Sequence, residues 1–152
     1  MAMMVTVSTE LDAPAEVVWS ALKRKASFLH VTRGFMGFPD AQEWPREWRQ
    51  GDEACTRLRF LHLIPGWEHR VRVVRVDEDE RELVSNESGG PVERWNHVLK
   101  VKPISENRSL YTDEIEIRAG LLTPLAWVFA HVLYRYRQMR WRELARVLAD
   151  TK

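Results

Sequence analysis

The sequence has a single cysteine, Cys55, so no disulfide can form within the chain and stability has to come from packing. A lone thiol suits a reducing compartment. Net charge is also scarce, at +1 with the histidines neutral, which excludes the strongly basic footprint of a nucleic-acid binder. No apolar run approaches the ~18 residues that a membrane span needs. The opening Met-Ala-Met-Met-Val-Thr-Val lacks the basic-then-apolar order of a secretory leader, so a cytoplasmic protein is the expectation. Strong catalytic signatures are missing too: there is no phosphate-binding glycine loop, no Gly-x-Ser-x-Gly elbow and no His-Glu-x-x-His. The five histidines, at 30, 62, 69, 97 and 131, are scattered, and neither a metal nor a cofactor is expected.

What is present is a globular composition in which seven tryptophans are many for 152 residues. Tryptophan is bulky with one polar tip, so it serves cores, ligand cavities and interfaces alike. No repeat or linker divides the chain, and one domain over 1–152 is expected. Residues 4–11 alternate in polarity and predict a first strand. "DAPAEVVWSAL" predicts a short helix capped by Asp12, with Pro14 in its first turn, and a second short helix or turn is expected over Lys25–Val31. Residues 33–50 hold Gly34, Gly37, Pro39 and Pro45 together with Phe35, Phe38, Trp44 and Trp48. A loop so long and so aromatic is expected to serve as a lid, a cavity wall or a packed connector.

From Gly51 the pattern is strand and turn in alternation: 53–63, 67–76, 81–88, 92–101 and 109–118, an antiparallel meander with one wet and one buried face. The last ~28 residues predict one long helix. Its apolar stripe is expected to be Leu122, Leu125, Phe129, Val132, Tyr136 and Met139, continuing to Leu144 and Leu148. A second line runs Trp127, His131, Tyr134, Gln138 and Trp141. Arg135, Arg137, Arg140, Arg142 and Arg146 are expected to form a solvated basic face.

The stretch "GGPVERWNHVLKV" puts Trp95, His97, Leu99 and Val101 on one face, so the apolar side of a strand includes a histidine. Pairing Val101 with Ser109 across the following turn would set Leu99 against Tyr111, His97 against Asp113 and Trp95 against Ile115. A buried carboxylate needs a partner, and His97 is the one that this register supplies for Asp113. Glu87 is a further candidate, because Gly89-Gly90-Pro91 folds its strand back beside Trp95.

Three segments together resemble the START-like superfamily, also called Bet v 1-like, helix-grip or SRPBCC, in its bacterial polyketide cyclase/dehydrase and lipid-transport branch. They are "VTVSTELDAPAEVVWSAL", the strand pair "GPVERWNHVLKV" and "LYTDEIEIRAG", and the ending "LYRYRQMRWRELARVL". The resemblance covers nearly the whole chain and implies an α+β helix-grip fold. In that fold a curved antiparallel sheet of six to seven strands is followed, after strand 1, by two short helices, and a long C-terminal helix covers the concave face. It also implies an internal cavity for a hydrophobic small molecule of lipid, polyketide or aromatic type. Trp95, Leu99, Tyr111, Ile115 and Phe129 would line that cavity, with Val132 and Tyr136 from the helix and His97 and Asp113 as its polar groups. Two alternatives stand beside this reading. One is a cyclase/dehydrase-type enzyme in which Asp113 orients His97 and His97 moves a proton during an aldol or dehydration step. The other is a protein-interaction module, a homodimer included, contacting through Trp127, Tyr134 and Trp141 of the last helix.

Overall fold

Alternating apolar and polar residues build most of the molecule, which a computed structural model describes over residues 1–151. The strands are β1 (Met3–Leu11), β2 (Met36–Gly37), β3 (Glu53–Phe60), β4 (Ile64–Asp77), β5 (Glu82–Gly89), β6 (Val92–Ser105) and β7 (Arg108–Arg118). They form one curled antiparallel sheet in the order β1-β7-β6-β5-β4-β3-β2, so β1 closes one edge and the two-residue β2 the other. Two short helices, α1 (Ala15–Leu22) and α2 (Lys25–Thr32), follow β1, and α3 (Thr123–Asp150) ends the fold. This is the helix grip that the sequence predicts. No helix among the described residues is long and apolar enough to cross a membrane.

Period two places the inner face. In β6 and β7 the residues Trp95, His97, Leu99 and Val101, and Tyr111, Asp113, Ile115 and Ile117, are all buried. The register between these strands differs from expectation by two residues. Val101 opposes Tyr111, Leu99 opposes Asp113, His97 opposes Ile115 and Trp95 opposes Ile117. The strands run on to Ser105 and Arg108 and turn only through Glu106-Asn107, with a bulge between Pro103 and Ser105. An even shift changes who faces whom and leaves every side chain on its own face. The β3–β4 connection also moves: the turn is Leu61-His62-Leu63, and Ile64-Pro65-Gly66 already belongs to β4.

Asp12 does not cap α1. The cap position is Pro14, and Asp12 lies within ion-pair distance of Arg108 and Arg146 instead. Helix α3 lies across the sheet beside β1 and α2. Its buried face is Ala130, Leu133, Tyr134, Arg137, Gln138, Trp141 and Ala145. The stripe expected to face the core is therefore displaced by about one residue around the helix. Leu122, Leu125, Val132 and Met139 are exposed, Phe129, Leu144 and Leu148 pack against the core as expected, and the second line supplies Tyr134 and Trp141, each 2% exposed. That burial removes Tyr134 and Trp141 as an interaction surface, and the indole of Trp127 donates to the Met4 carbonyl at 2.8 Å.

Candidate functional site

A cavity of about 510 Å³ lies between the inner face of the sheet, α3 and the segment 33–50. Strand periodicity explains its walls. β4 contributes Trp67, His69, Val71 and Val73; β5 contributes Leu83, Ser85 and Glu87; β6 contributes Trp95, His97 and Leu99. Each set is every second residue of one strand. From α3 come Phe129, Leu133, Tyr134, Arg137 and Trp141, at helical spacing. The aromatic segment closes another side with Met36, Phe38, Trp44 and Trp48, so it is a wall. Phe28, Phe38, Trp44 and Trp48 form a chain of ring contacts with centroids 5.0 to 5.7 Å apart. Five of the seven tryptophans line the space: 44, 48, 67, 95 and 141. Trp67 packs so closely on the β5–β6 turn that a Cβ on Gly90, whose φ is +52°, would fall 2.5 Å from the indole. Leu122, Leu125 and Pro91 are lining residues that reach solvent, which puts the mouth between the start of α3 and that turn.

Two histidine–carboxylate pairs stand in this otherwise apolar setting. His97 Nε2 lies 2.6 Å from Asp113 Oδ1, although the two sit diagonally across the β6–β7 ladder. Asp113 is fully buried; Oδ1 also accepts from the Tyr111 hydroxyl at 3.2 Å, and Oδ2 accepts from the Gln138 amide at 3.0 Å. A carboxylate only accepts, so Nε2 of His97 carries its proton toward Asp113 and Nδ1 is left to give or take one. The second pair is His69 Nε2 with Glu87 Oε1 at 3.0 Å, while Ser85 donates to Glu87 Oε2 at 2.7 Å. Burial alone would raise the Glu87 carboxyl. The His69 hydrogen bond and charge, the His97 charge and the Ser85 hydroxyl outweigh it and hold the group below the usual carboxylate range. Burial drives the Tyr111 and Tyr134 phenols well upward, with the Asp113 charge adding to it, so both stay protonated. Tyr134 Oη accepts from the Trp95 indole at 2.9 Å. Among the described residues no group of three or more histidine, cysteine or carboxylate side chains is arranged to hold a metal.

The residues expected from sequence divide in two. Trp95, His97, Leu99 and Phe129 reach the cavity. Tyr111, Asp113 and Ile115 lie behind it, each 0% exposed, with Asp113 acting on the cavity only through His97. Val132 turns to solvent, and Tyr136 stacks on Phe35 and bonds the Arg33 carbonyl, so neither is a wall residue. Glu87 does face the cavity but pairs with His69 rather than with His97 and Asp113.

His69 and Arg137 were not among the candidates. The signal for His69 was its place in the alternation Trp67-x-His69-x-Val71. Arg137 belongs by sequence to the expected solvated basic face, yet it lies three residues after Tyr134 and four before Trp141, on the same side of α3 as both. It is 6% exposed, and its guanidinium carbon sits 5.2 Å from the Phe28 ring centroid and 5.1 Å from that of Tyr134.

No family model matches the chain, and no curated protein matches it. Solved structures do. A START superfamily protein from Mycobacterium smegmatis superposes with a TM-score of 0.71 at 13% identity, over 95% of this chain and 98% of that one. Norcoclaurine synthase from Thalictrum flavum, in complex with dopamine and hydroxybenzaldehyde, gives 0.66 at 13% identity, over 100% and 89%. The Zhui aromatase/cyclase from Streptomyces sp. R1128 gives 0.63 at 14% identity, over 99% and 94%. These are START- and Bet v 1-like proteins, and the likeness is one of fold.

Proposed function

We propose that this protein binds a hydrophobic small molecule, of aromatic, polyketide or lipid type, in the cavity between its sheet and α3. The observation that carries the reading is the cavity: about 510 Å³, walled by aromatic side chains and furnished with a few convergent polar groups. Volume and lining both suit a small-molecule site. A solid core would have served stability better, because side chains around unfilled space forgo packing contacts. The fold's neighbours include a protein solved with dopamine and hydroxybenzaldehyde, which supports an aromatic occupant. Tryptophan fluorescence tests the reading directly, since five indoles face the space. Titration with naphthalene-ring compounds and medium-chain acyl compounds is expected to change the emission saturably. Emission that stays flat across both sets sinks the proposal.

A second reading, acid–base catalysis, is favoured by the presence of two histidine–carboxylate pairs in one cavity system. His97 would take or give a proton at Nδ1 while Asp113 holds the ring and stabilises its charged form. On this reading His97→Ala abolishes turnover of a poly-β-keto substrate in a protein that still folds and binds it, with a lowered thermal midpoint because Asp113 loses its buried partner. A His97→Ala protein that unfolds would instead mark the pair as part of the packing.

A further inference from the structure

Among the described residues, Arg137 is the one charged side chain of the cavity whose hydrogen-bonding capacity the protein does not use. Its guanidinium has five N–H donors, and among the described residues none of them donates to a protein acceptor. Nε is buried without a partner, and among the described residues no carboxylate comes within ion-pair distance. The rings of Phe28 and Tyr134 favour the cation but cannot accept its in-plane N–H bonds.

The nearby carboxylates are already engaged. Both oxygens of Glu87 are bonded, to His69 and Ser85, and both of Asp113, to His97, Tyr111 and Gln138. Burial opposes the charge on Arg137, but the phenol oxygens of Tyr111 and Tyr134, and after them the Asp113 and Glu87 carboxylates, outweigh it and keep the guanidinium protonated. Next to it, Tyr134 uses its hydroxyl oxygen to accept from Trp95, which leaves the O–H free to donate. The cavity thus holds an unpaired cation and a neutral donor side by side, in apolar surroundings.

We infer that the ligand of this cavity is a monoanion, an aromatic or acyl carboxylate whose carboxyl group binds the Arg137 guanidinium and whose body lies against the aromatic wall. The inference rests on the binding function proposed above. A planar guanidinium matches a carboxylate with two parallel N–H bonds, which an ammonium cannot reproduce. A single negative charge suits the site better than a phosphate dianion, because Glu87 faces the same space and Asp113 lies just behind His97. A second charge on the ligand would meet repulsion from both.

The test compares matched pairs: 2-naphthaleneacetate and dodecanoate, each against its methyl ester, with 2-naphthyl phosphate as the dianion. Binding is read by tryptophan fluorescence and calorimetry on the full chain. At least one acid is expected to bind about tenfold or more tighter than its ester, the range of a charge-assisted hydrogen bond. 2-Naphthyl phosphate is expected to bind more weakly than the naphthalene acid. Arg137→Met, which keeps an unbranched apolar stem and removes the guanidinium, should remove the acid's advantage and leave ester affinity in place. Arg137→Lys should recover only part of it. The thermal midpoint of Arg137→Met is expected to hold or rise, since a buried unpaired cation has gone; a structural ion pair would move it the other way. An ester that binds as tightly as its acid, or an acid preference that survives Arg137→Met, overturns the inference and leaves the cavity reading intact. If neither member of either pair binds, both fall together.

Discussion

Asp113 accepts from three side chains while fully buried, so removing it strands His97, Tyr111 and Gln138 at once. Asp113→Ala is expected to cost about 3–5 kcal/mol in urea unfolding, the range for breaking a buried pair. Asp113→Asn keeps one acceptor oxygen and should cost less. Glu87 adds a pH dependence whose sign follows from its depressed carboxyl. Its folded value lies below the ordinary 4.5, so its contribution is fully present above that value and is lost as pH falls through the folded one. Glu87→Gln is therefore expected to be less stable than the parent near neutral pH and to converge with it in acid, once the pH has fallen below the depressed folded value. Denaturant midpoints at the two pH values check this; parallel curves at both would contradict it.

At the scale of elements, α3 decides most, and its sequence specifies its orientation least. Its sequence carries two adjacent apolar lines, and spacing alone does not say which line meets the sheet. The line with more aliphatic residues was expected inside. The fold set the other against the sheet, because Tyr134, Gln138 and Trp141 reach the polar and aromatic groups of its inner face, and only Phe129, Leu144 and Leu148 of the first line pack against the core. Gln138 bonds the Val7 carbonyl and Asp113, and Trp141 stacks on Tyr111 at 5.3 Å. Two substitutions separate the faces. Val132→Asp should change stability by no more than about 0.5 kcal/mol, as for an ordinary surface position. Trp141→Ala should cost about 3–5 kcal/mol as a large core truncation. Equal costs would mean that the helix is rotated from the position described.

The whole molecule is a sheet and a helix held apart by aromatic walls, and its tolerance to added volume should reflect that. Val71 points into the cavity from β4. In a filled core an enlarged side chain costs about 1–3 kcal/mol; Val71→Phe should cost less than that here and weaken probe binding. Ligand linkage gives an independent measure. A probe at a hundredfold excess over its Kd should stabilise the fold by about 2.7 kcal/mol, seen as a raised Tm. A Tm that does not move with a probe bound by fluorescence would place that probe outside the native cavity.

The sequence by itself determined every strand but the two-residue β2, their inner faces and the order of the long elements, because period two and period 3.6 are local properties of the chain. It also determined that His97 and Asp113 share a buried face, a fact that a two-residue error in register could not disturb. Tertiary structure alone decided what those side chains touch. The face of α3 turned inward, the pairing of Glu87 with His69, and the isolation of Arg137 among aromatic rings each depend on how elements distant in sequence are set against one another. A run of alternating residues records that a side chain points inward; whether it meets a partner, a wall or a cavity is fixed only when the opposite surface arrives.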